Sequence, residues 1–415
     1  MGKQSARMYF WQKDHSDLYF ADEYEFFHNH SKIYKGKNLL WEREKPRFVF
    51  AGGYGFMATS EDLKTFSSFP FPQSNIVQLE KYKNEPVTET SGLTYAFGKY
   101  FMAQRISKRT YETNKWEIVG CYLLYSENGY EWKTLKKSNE YISRLEKINK
   151  NSQNEKITFS MGGETFQFGS DLKIEKIFEY DVNVLASGNG IAFFSSYGNL
   201  YILKKSEIEK VPTSSNSTSI RYNQNDGYFY FFMYSSISFI SNENIVLNKT
   251  KDGVSFEYLG EINGKDISGL PNAAGLTIKN VFFINSSIYI LVGFDKTLNA
   301  DQTVSMIKWE SNRYSIREIG TYTKNLSLIF NYCIGNFLYF IKKDYEGDDK
   351  EIEKNVKYCR IPIEEAYVCE TFDKLVQSSE ELKFTDKIYN WYYDYTNHPS
   401  LGYAVCTDKN VIIQS

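Results

Sequence analysis

A seven-residue motif occurs four times in this 415-residue sequence, at residues 60–66, 126–132, 187–193 and 250–256. It consists of Ser or Thr, any residue, Asp or Asn, usually Gly, two further residues and an aromatic residue. The Asp or Asn stands at positions 62, 128, 189 and 252, so successive copies lie 66, 61 and 63 residues apart. A nearly constant long spacing indicates one supersecondary unit copied along the chain. We therefore expect a repeat protein, and the motif predicts its architecture more directly than its chemistry.

Each copy of the motif has the composition of a tight turn between two strands. The Asp or Asn side chain can accept hydrogen bonds from the backbone N–H groups that follow it, and glycine adopts positive φ without steric cost. The Ser or Thr hydroxyl can tie the other arm, and the aromatic residue begins the next strand and packs inward. The structural residues predicted in this way are Ser60, Asp62 and Phe66; Ser126, Asn128, Gly129 and Trp132; Ser187, Asn189, Gly190 and Phe193; and Thr250, Asp252, Gly253 and Phe256.

Apolar, aromatic-rich runs of strand length lie between the copies. Residues 93–102, 227–240, 281–292 and 328–341 each read as two strands around a polar or Gly-containing break. Four antiparallel strands in each repeat of about 60 residues, arranged radially, form the blade of a β-propeller. The predicted fold class is therefore all-β, a β-propeller of four-stranded antiparallel blades, with seven blades favoured and six as the alternative.

With these turns and strands, the motif resembles the Asp box of the bacterial neuraminidase repeat (BNR) propellers. That family includes sialidases, sortilin-like receptors, photosystem assembly factors and many phage proteins. The copies here are a shortened form, with one residue fewer between the Asp and the aromatic residue, and the first copy lacks the Gly. Residues 309–313 resemble a decayed copy. The resemblance implies a propeller but no single activity, because one fold hosts many functions.

The repeat predicts one domain over residues 1–415, because blades bury their faces only against neighbouring blades. Residues 1–30 are expected to supply a closing strand and a lead-in, from residues 8–11 or 18–20. Residues 383–415 are expected to form the closing blade.

Two charged segments are expected to interrupt the strands. The Lys-, Asn- and Glu-rich segment 136–157 predicts a charged insertion, either a loop or a short helix over 141–148. The acidic run 344–351 lacks the ligand spacing of a calcium loop, which favours a solvated hairpin tip.

Composition limits the partners. The formal net charge is −2, which does not suggest a broad nucleic-acid surface. No apolar run approaches the length of a membrane span, and residues 1–7 lack the apolar core of a signal peptide. The five cysteines form no C-x-x-C pair, which is typical of free thiols in a reducing compartment. We expect no nucleic acid, no membrane insertion and no signal peptide.

Residues for catalysis do not form a recognisable set. Sialidases, which belong to the resembled family, require an arginine cluster, a Tyr nucleophile with a Glu partner, and an Asp acid/base. Their Arg-Ile-Pro motif precedes the first box, whereas here it stands at residues 360–362. The other residues considered for such a site are Arg43, Arg47, Arg221, Arg313, Tyr393 and Asp394. No spacing unites them, so no catalytic residue is predicted.

Metal and cofactor sites are not predicted either. His28 and His30 would share one face of a strand, but no third ligand follows at a recognisable spacing.

The densest aromatic cluster outside the strand pairs is the candidate ligand-binding segment. It contains Trp391, Tyr392, Tyr393, Asp394 and Tyr395. Aromatic faces beside a carboxylate suit sugar rings and protein interfaces, and the alternative interpretation is core between blades.

These observations favour a non-catalytic binding or structural propeller. Many propellers of the resembled family act outside cells, yet no secretion signal is found. A virion or phage tail-like particle, assembled in the cytoplasm and released by lysis, reconciles the two. The expected partners are tail or baseplate proteins in a multimeric assembly, or host-surface polysaccharide bound as a receptor. The alternatives are an intracellular protein-interaction propeller and a sialidase-like glycoside hydrolase.

Overall fold

The computed structural model describes eighteen parts of the chain, which are almost entirely antiparallel β-sheet. These parts are residues 26–29, 32–35, 38–42, 45–52, 56–70, 86–110, 115–148, 155–204, 207–214, 218–234, 244–268, 274–295, 302–321, 326–345, 353–384, 403–408, 411 and 413–414. Among them, no helix is long and apolar enough to cross a membrane.

The strands form one small sheet and seven blades, which we number in chain order. The small sheet has β1 at Phe26–Asn29, β2 at Lys32–Lys35 and β3 at Asn38–Glu42. Blade 1 has β4 (Phe48–Ala51), β5 (Phe56–Ser60) and β6 (Thr65–Pro70), and blade 2 has β7 (Pro86–Ala96), β8 (Lys99–Thr110), β9 (Lys115–Ser126) and β10 (Lys133–Ser138). Blade 3 has β11 (Ile142–Ile148), β12 (Lys156–Met161), β13 (Glu164–Phe168) and β14 (Glu175–Phe178), and blade 4 has β15 (Asn183–Gly188), β16 (Ile191–Ser196), β17 (Asn199–Lys204) and β18 (Glu207–Ser214).

The remaining blades carry the three short helices. Blade 5 has β19 (Thr218–Asn223), β20 (Tyr228–Tyr234), β21 (Ile245–Thr250) and β22 (Glu257–Ile262), followed by α1 (Gly264–Ser268). Blade 6 has β23 (Ala274–Ile284), β24 (Ser287–Asp295), β25 (Gln302–Glu310) and β26 (Arg313–Thr321). Blade 7 has β27 (Leu326–Ile334), β28 (Phe337–Tyr345), β29 (Glu353–Pro362), α2 (Ile363–Val368), α3 (Phe372–Ser378) and β30 (Glu380–Glu381). The last strands are β31 (Lys383–Phe384), β32 (Tyr403–Cys406) and β33 (Ile413–Gln414).

The prediction of an all-β propeller with seven blades is confirmed, and the alternative of six blades is wrong. Blades 2 to 7 each run outward from a first, innermost strand to a fourth strand in chain order. Seven buried hydrophobic clusters join successive blades around the ring, with the seventh joining blade 7 to blade 1. The core is therefore a set of layers between blades, and each blade depends on both of its neighbours.

The ring closes through strands from both ends of the described chain. Strand β32 pairs antiparallel with β4, with Tyr403 opposite Ala51 and Cys406 opposite Phe48, and forms the innermost strand of blade 1. Strand β31 adds in parallel to the outer strand β6. Residues 8–11 and 18–20, for which we predicted a closing role, lie outside the described residues.

Three of the four motif copies form one and the same turn, between the third and fourth strands of blades 1, 2 and 5. In blade 5, the Asp252 Oδ1 accepts hydrogen bonds from the N–H groups of Val254 and Ser255, both at 2.8 Å, and from the Thr250 hydroxyl at 2.9 Å. The Thr250 hydroxyl oxygen in turn accepts the N–H of Gly253 at 2.9 Å.

The turns around Asp62 and Asn128 repeat this pattern. In the first copy, which lacks the glycine, Leu63 takes the left-handed conformation with φ of 61°.

These turns also brace the preceding blade. A Cβ at Gly253 would lie 2.2 Å from Ile202 Cδ1 of blade 4, and a Cβ at Gly129 would lie 3.0 Å from Pro46, which precedes blade 1. The aromatic residues Phe66 and Trp132 are buried as predicted from their position, whereas Phe256 remains 44% exposed.

The third copy is a different turn, so the predicted repeat of 61 to 66 residues is not the blade period. Asn189 and Gly190 have φ of 48° and 78° and form a two-residue hairpin between the first and second strands of blade 4. Two positive-φ central residues define the type I′ turn that Asn-Gly favours. The Ser187 hydroxyl bonds the Lys147 carbonyl in blade 3 at 2.8 Å instead of its own turn. Asn128 lies in blade 2 and Asp252 in blade 5. They are therefore three blades apart, although the motif spacing predicts two repeats.

A turn related to the motif was missed in blade 3. The Asp171 Oδ1 accepts the N–H of Lys173 at 3.2 Å, and Leu172 has φ of 60°, close to the value at Leu63. Gly169 stands where the motif has Ser or Thr, and its carbonyl accepts the N–H of Leu172 at 3.0 Å. The motif does not identify this turn, because Gly169 stands at its Ser/Thr position and Glu175 at its aromatic position.

The segment 136–157 does not contain the expected helix or a loop over 141–148. Strand β11 occupies residues 142–148, with Ile142, Leu145 and Ile148 buried. A β-bulge between Ser143 and Glu146 shifts the register within the strand, so its buried residues recur every three positions instead of every two.

One buried arginine joins blade 7 to blade 1. Arg360 is 5% exposed, and its Nε and Nη2 both donate to Glu380 Oε2, at 2.9 and 2.7 Å. Its Nη1 donates to the Leu63 carbonyl in the motif turn of blade 1, which spans residues 60–66, at 3.0 Å. The Arg-Ile-Pro sequence therefore contributes to ring closure.

We expect Glu380→Ala to destabilise the protein more than Arg360→Met. The first change leaves a buried guanidinium without its carboxylate and should cost about 3 kcal/mol. The second removes the cation together with its hydrogen bonds and should cost about 2 kcal/mol. Urea unfolding of both single variants and the double variant measures this, and the double variant should resemble Arg360→Met. Equal costs for the two single variants that add in the double variant would contradict the coupling.

We expect the Asp252 turn to make stability depend on pH. The backbone N–H groups of Ser255 and Val254 hold the pKa of Asp252 well below its usual value. Such a group stabilises the folded state above the unfolded pKa of about 4, and the contribution is lost as the pH falls below it. Asp252→Ala should cost about 1 kcal/mol at pH 7, with the difference from wild type shrinking in acid. Asn128→Ala is the control, since a neutral amide gives a difference without this acid dependence.

Candidate binding site at the central channel

The innermost strands of the seven blades surround the axis of the ring. They are β32, β7, β11, β15, β19, β23 and β27. The turns between first and second strands and between third and fourth strands lie at one end of the axis, which we call the hairpin end. The other turns, and the connections between blades, lie at the opposite end, which we call the connector end.

The segment after β32 crosses the hairpin end. Strand β33 pairs with the end of β27, with Ile413 opposite Ile334. The side-chain amide of Gln414 then forms two hydrogen bonds with the backbone of blade 6, as a paired strand does. Its Oε1 accepts the N–H of Phe283 at 2.6 Å, and its Nε2 donates to the Phe283 carbonyl at 3.0 Å. The segment therefore spans blades 1, 7 and 6 at this end, which favours access to the channel from the connector end.

Arg221 on β19 is the central charged residue of the site. Its Nη1 donates to the carbonyl of the preceding Ile220 at 3.0 Å, and its Nε is inaccessible to solvent and has no hydrogen-bond partner. Burial lowers the pKa of the Arg221 guanidinium, and the nearby Glu146 carboxylate opposes that shift. A guanidinium cannot lose its proton in this setting, so the channel contains a cation with unused donor capacity.

Glu146 on β11 faces the same space from blade 3. The bulge in β11 gives Arg144 a φ of 56°, and the Arg144 side chain forms a 2.8 Å ion pair with Asp181. Glu146 is exposed, and its charge raises the pKa of both Arg221 in blade 5 and Tyr403 in blade 1. Blades 1 and 5 each lie two positions from blade 3. Because the Glu146 carboxylate influences residues in both, it lies near the axis.

Two tyrosines and a second arginine complete the group. Burial raises the pKa of the Tyr403 hydroxyl, with further contributions from Tyr141 and Glu146. Tyr141 lies on the connection from blade 2 to blade 3, is 42% exposed, and has the Arg105 guanidinium 5.0 Å from its ring centroid. We call Arg105, Tyr141, Glu146, Arg221 and Tyr403 the channel cluster.

The channel cluster offers hydrogen-bond donors, a carboxylate acceptor, a phenol and a partly exposed aromatic ring near the axis. Such a combination orients polar ligands. Among the described residues, no three His, Cys, Asp or Glu side chains lie close enough together to hold a metal ion. All five cysteines are free.

The arginines considered from the sequence do not converge. Arg47 forms a 3.0 Å ion pair with Asp408, Arg313 is exposed on the outer strand of blade 6, and Arg360 belongs to the contact between blades 7 and 1. Only Arg221 lies in the channel. Arg43 lies outside the described residues.

Several other predicted residues also fall outside the described parts. They are Trp391, Tyr392, Tyr393, Asp394 and Tyr395, which precede β32 in the sequence, together with His30 and residues 346–351. Sequence reasoning missed Glu146 and Tyr141 because they fall in the segment interpreted as an insertion. Residues 142–148 alternate between buried and exposed once the bulge is taken into account. That alternation would have placed Glu146 on an innermost strand and Tyr141 on the connection before it.

Comparison with known proteins finds solved structures of low similarity and no family. No protein-family model matches the sequence, and no curated protein matches it. A prolyl endopeptidase structure is similar at 8% identity, covering 66% of this chain and 40% of that chain, with a TM-score of 0.40. The β-propeller domain of the Trilobed protease from Pyrococcus furiosus is similar at 10% identity, covering 65% of this chain and 92% of that chain, with a TM-score of 0.34. The GH43 endo-arabinanase from Bacillus licheniformis is similar at 14% identity, covering 69% of this chain and 93% of that chain, with a TM-score of 0.26. The chain thus spans less than half of the prolyl endopeptidase, and similarity at this level transfers no activity, substrate or partner.

We expect Arg221→Met to leave the free energy of unfolding unchanged or to raise it by about 1 kcal/mol, because an apolar isostere avoids the desolvation of a buried charge. Urea unfolding at pH 7 measures this, with Arg360→Met as the matched structural control. A loss for Arg221→Met as large as that for Arg360→Met would assign Arg221 to the scaffold rather than to a binding site.

Proposed function

We propose that this protein is a non-catalytic binding propeller whose channel cluster holds a hydroxyl-rich polar ligand, a surface glycan, approached from the connector end. The observation that carries the proposal is Arg221, a half-buried cation to which the described residues supply one hydrogen-bond acceptor, the Ile220 carbonyl. Retaining a buried charge without full hydrogen bonding costs stability, and a ligand that supplies the missing acceptors offsets that cost. The exposed ring of Tyr141 offers a face against which a sugar ring stacks.

Binding rather than cleavage is supported by the composition of the channel cluster. A glycoside hydrolase uses two carboxyl groups that flank the scissile bond. The channel cluster, as defined from the described residues, contains one, that of Glu146, beside two arginines and two tyrosines.

The setting that we propose is a virion or phage tail-like particle. The resemblance of the box turns to those of BNR propellers, many of which belong to phages, supports this setting. In such a particle the propeller contacts host-surface polysaccharide through the channel, and tail or baseplate proteins hold it in a multimeric assembly. This part of the proposal rests on fold-level analogy.

We expect the purified protein to bind surface or cell-wall polysaccharide saturably and without release of sugar. Binding to a polysaccharide array and analysis of products in the same samples measure both. Tyr141→Ala should weaken binding at least about tenfold, as for an aromatic anchor. Tyr258→Ala, which alters an exposed tyrosine on the outer strand of blade 5, should leave it unchanged.

Two outcomes would contradict the proposal. Released sugar would identify a hydrolase and direct attention to paired carboxylates. The absence of glycan binding, together with stable capture of a purified cytoplasmic partner, would favour an intracellular interaction propeller.

A further inference from the structure

Two hairpins of the propeller hold an aromatic residue in a strained backbone conformation. Phe97 and Gly98 join β7 to β8 with φ of 52° and 74°, and Tyr197 and Gly198 join β16 to β17 with φ of 46° and 77°. Asn, Asp or Gly normally occupies the first position of such a turn, because a bulky side chain is strained at positive φ. Each aromatic residue therefore makes its own turn less stable.

The two aromatic rings differ in what they contact. Phe97 packs against the cluster between blades 2 and 3, and its ring lies 6.2 Å from that of Phe101. Tyr197 is 88% exposed, more than any other large apolar residue that the structure describes. Packing therefore compensates for the strain at Phe97, whereas the fold gives Tyr197 no comparable compensation. Strain that the fold does not repay points to a function for the side chain.

Tyr197 stands beside a second tyrosine at the connector end. The connection from blade 3 to blade 4 reaches this end and carries Tyr180, whose ring lies 6.5 Å from that of Tyr197. The Tyr180 ring also lies 5.4 Å from that of the buried Phe178. The Thr165 hydroxyl donates to the Tyr180 carbonyl at 2.9 Å, which fixes the connection to blade 3. The inner ring is thus held in place and the outer ring is open to solvent.

An ion pair lies next to these rings. Asp181 Oδ2 is 2.8 Å from Arg144 Nη1, and Asp181 Oδ1 accepts a hydrogen bond from the Ser160 hydroxyl. The Asp181 carbonyl accepts one from the Ser196 hydroxyl at 2.9 Å. The side chains of Arg144 and Asp181 are 42% and 36% exposed, so a fixed pair of charges offers donors and acceptors to solvent. We call Arg144, Tyr180, Asp181 and Tyr197 the connector platform.

The connector platform is continuous with the channel cluster. Arg144 and Glu146 lie on the same innermost strand, β11. The Arg144 side chain reaches from that strand to Asp181, on the connection that leads outward to Tyr180 and Tyr197. A ligand in the channel that continues outward over blade 4 therefore meets the connector platform.

The composition of the platform favours a sugar ring. A β-linked pyranose has a flat face of axial C–H groups that stacks on an aromatic ring, and its equatorial hydroxyls can bond to charged side chains beside that ring. The ion pair has no net charge, which favours a neutral ligand. One exposed ring framed by an ion pair lacks the contiguous apolar area of a protein interface.

We propose that the connector platform is an outer subsite for the glycan held in the channel, and that this glycan is a β-linked pyranose polymer. Tyr197 stacks on one sugar ring outside the channel, and Arg144 and Asp181 bond to the hydroxyls of that ring. The inference rests on the glycan binding proposed for the channel cluster. It adds the class of ligand, a polymer that spans both sites rather than a single sugar.

The test measures binding of the full chain to β-linked glucose and N-acetylglucosamine oligomers of increasing length by titration calorimetry. The wild type should bind long oligomers more tightly than short ones. Tyr197→Asn should weaken the binding of long oligomers about tenfold, as for an aromatic anchor, and leave that of short oligomers unchanged. Tyr141→Ala, in the channel cluster, should weaken the binding of both.

Thermal melting provides a second readout that needs no ligand. Tyr197→Asn should raise the melting temperature by about 2 °C, because Asn suits the turn and no packing is lost. Phe97→Asn is the matched control, since it alters the same kind of turn at the hairpin end. It should lower the melting temperature, because packing against Phe101 is lost, and leave the binding of every oligomer unchanged.

The outcomes separate this inference from the proposed function. Affinity that does not depend on oligomer length, or equal binding of long oligomers by Tyr197→Asn and the wild type, would overturn the outer subsite and leave binding in the channel intact. A lower melting temperature for Tyr197→Asn would assign the ring to the fold and would also overturn it. Binding of another glycan in place of both series would overturn the β-linked class alone, whereas no binding of any glycan would overturn both proposals.

Discussion

The fold depends on the contact between blade 7 and blade 1, because every blade buries both faces against its neighbours. An open row of six interfaces would leave two large apolar faces in water. The chain secures the seventh interface with elements that differ in kind. Strand β32 forms the innermost strand of blade 1. Arg360 of blade 7 donates a hydrogen bond to the motif turn of blade 1, and the Gln414 side chain accepts one from the backbone of blade 6. The motif turns of blades 1, 2 and 5 stabilise other contacts around the ring. They lie against Arg360 of blade 7, Pro46 before blade 1 and Ile202 of blade 4, respectively.

The fold class could be predicted because its determinants are local. Aromatic-rich runs bounded by turn residues specify strands, and the hydrogen bonds of Asp252 need only the six consecutive residues 250–255. The blade period could not be read from the same residues. The segment around Asn189 satisfies the pattern, but its Asn-Gly pair favours a two-residue hairpin, and nothing in its own sequence shows which strands it joins. Asp171 fails the pattern although its turn is related. A carbonyl serves where the pattern requires a hydroxyl, and Glu175 stands where it requires an aromatic residue.

The channel cluster lay beyond prediction for a different reason. Glu146 and Arg221 belong to different blades, and the blade between them places both near one axis. Only the number of blades and the register of each innermost strand bring them together. The bulge in β11 hid that register, because it makes the buried residues recur every three positions. Arg221 could be named from the sequence as one of several arginines, but the enclosure of its Nε follows from the closed ring.

Arg221 and Arg360 show how the same residue type serves two purposes in one fold. Arg360 uses Nε, Nη1 and Nη2 on a carboxylate and a carbonyl of its own chain, so its charge is neutralised and its geometry fixed. Arg221 has a carboxylate in its field, yet its Nε remains without a hydrogen bond. Burial penalises both cations, but only for Arg360 does the folded chain itself supply the compensation. The difference lies in what surrounds each guanidinium, and it is the physical reason to look for a ligand at the axis rather than at the junction of blades 7 and 1.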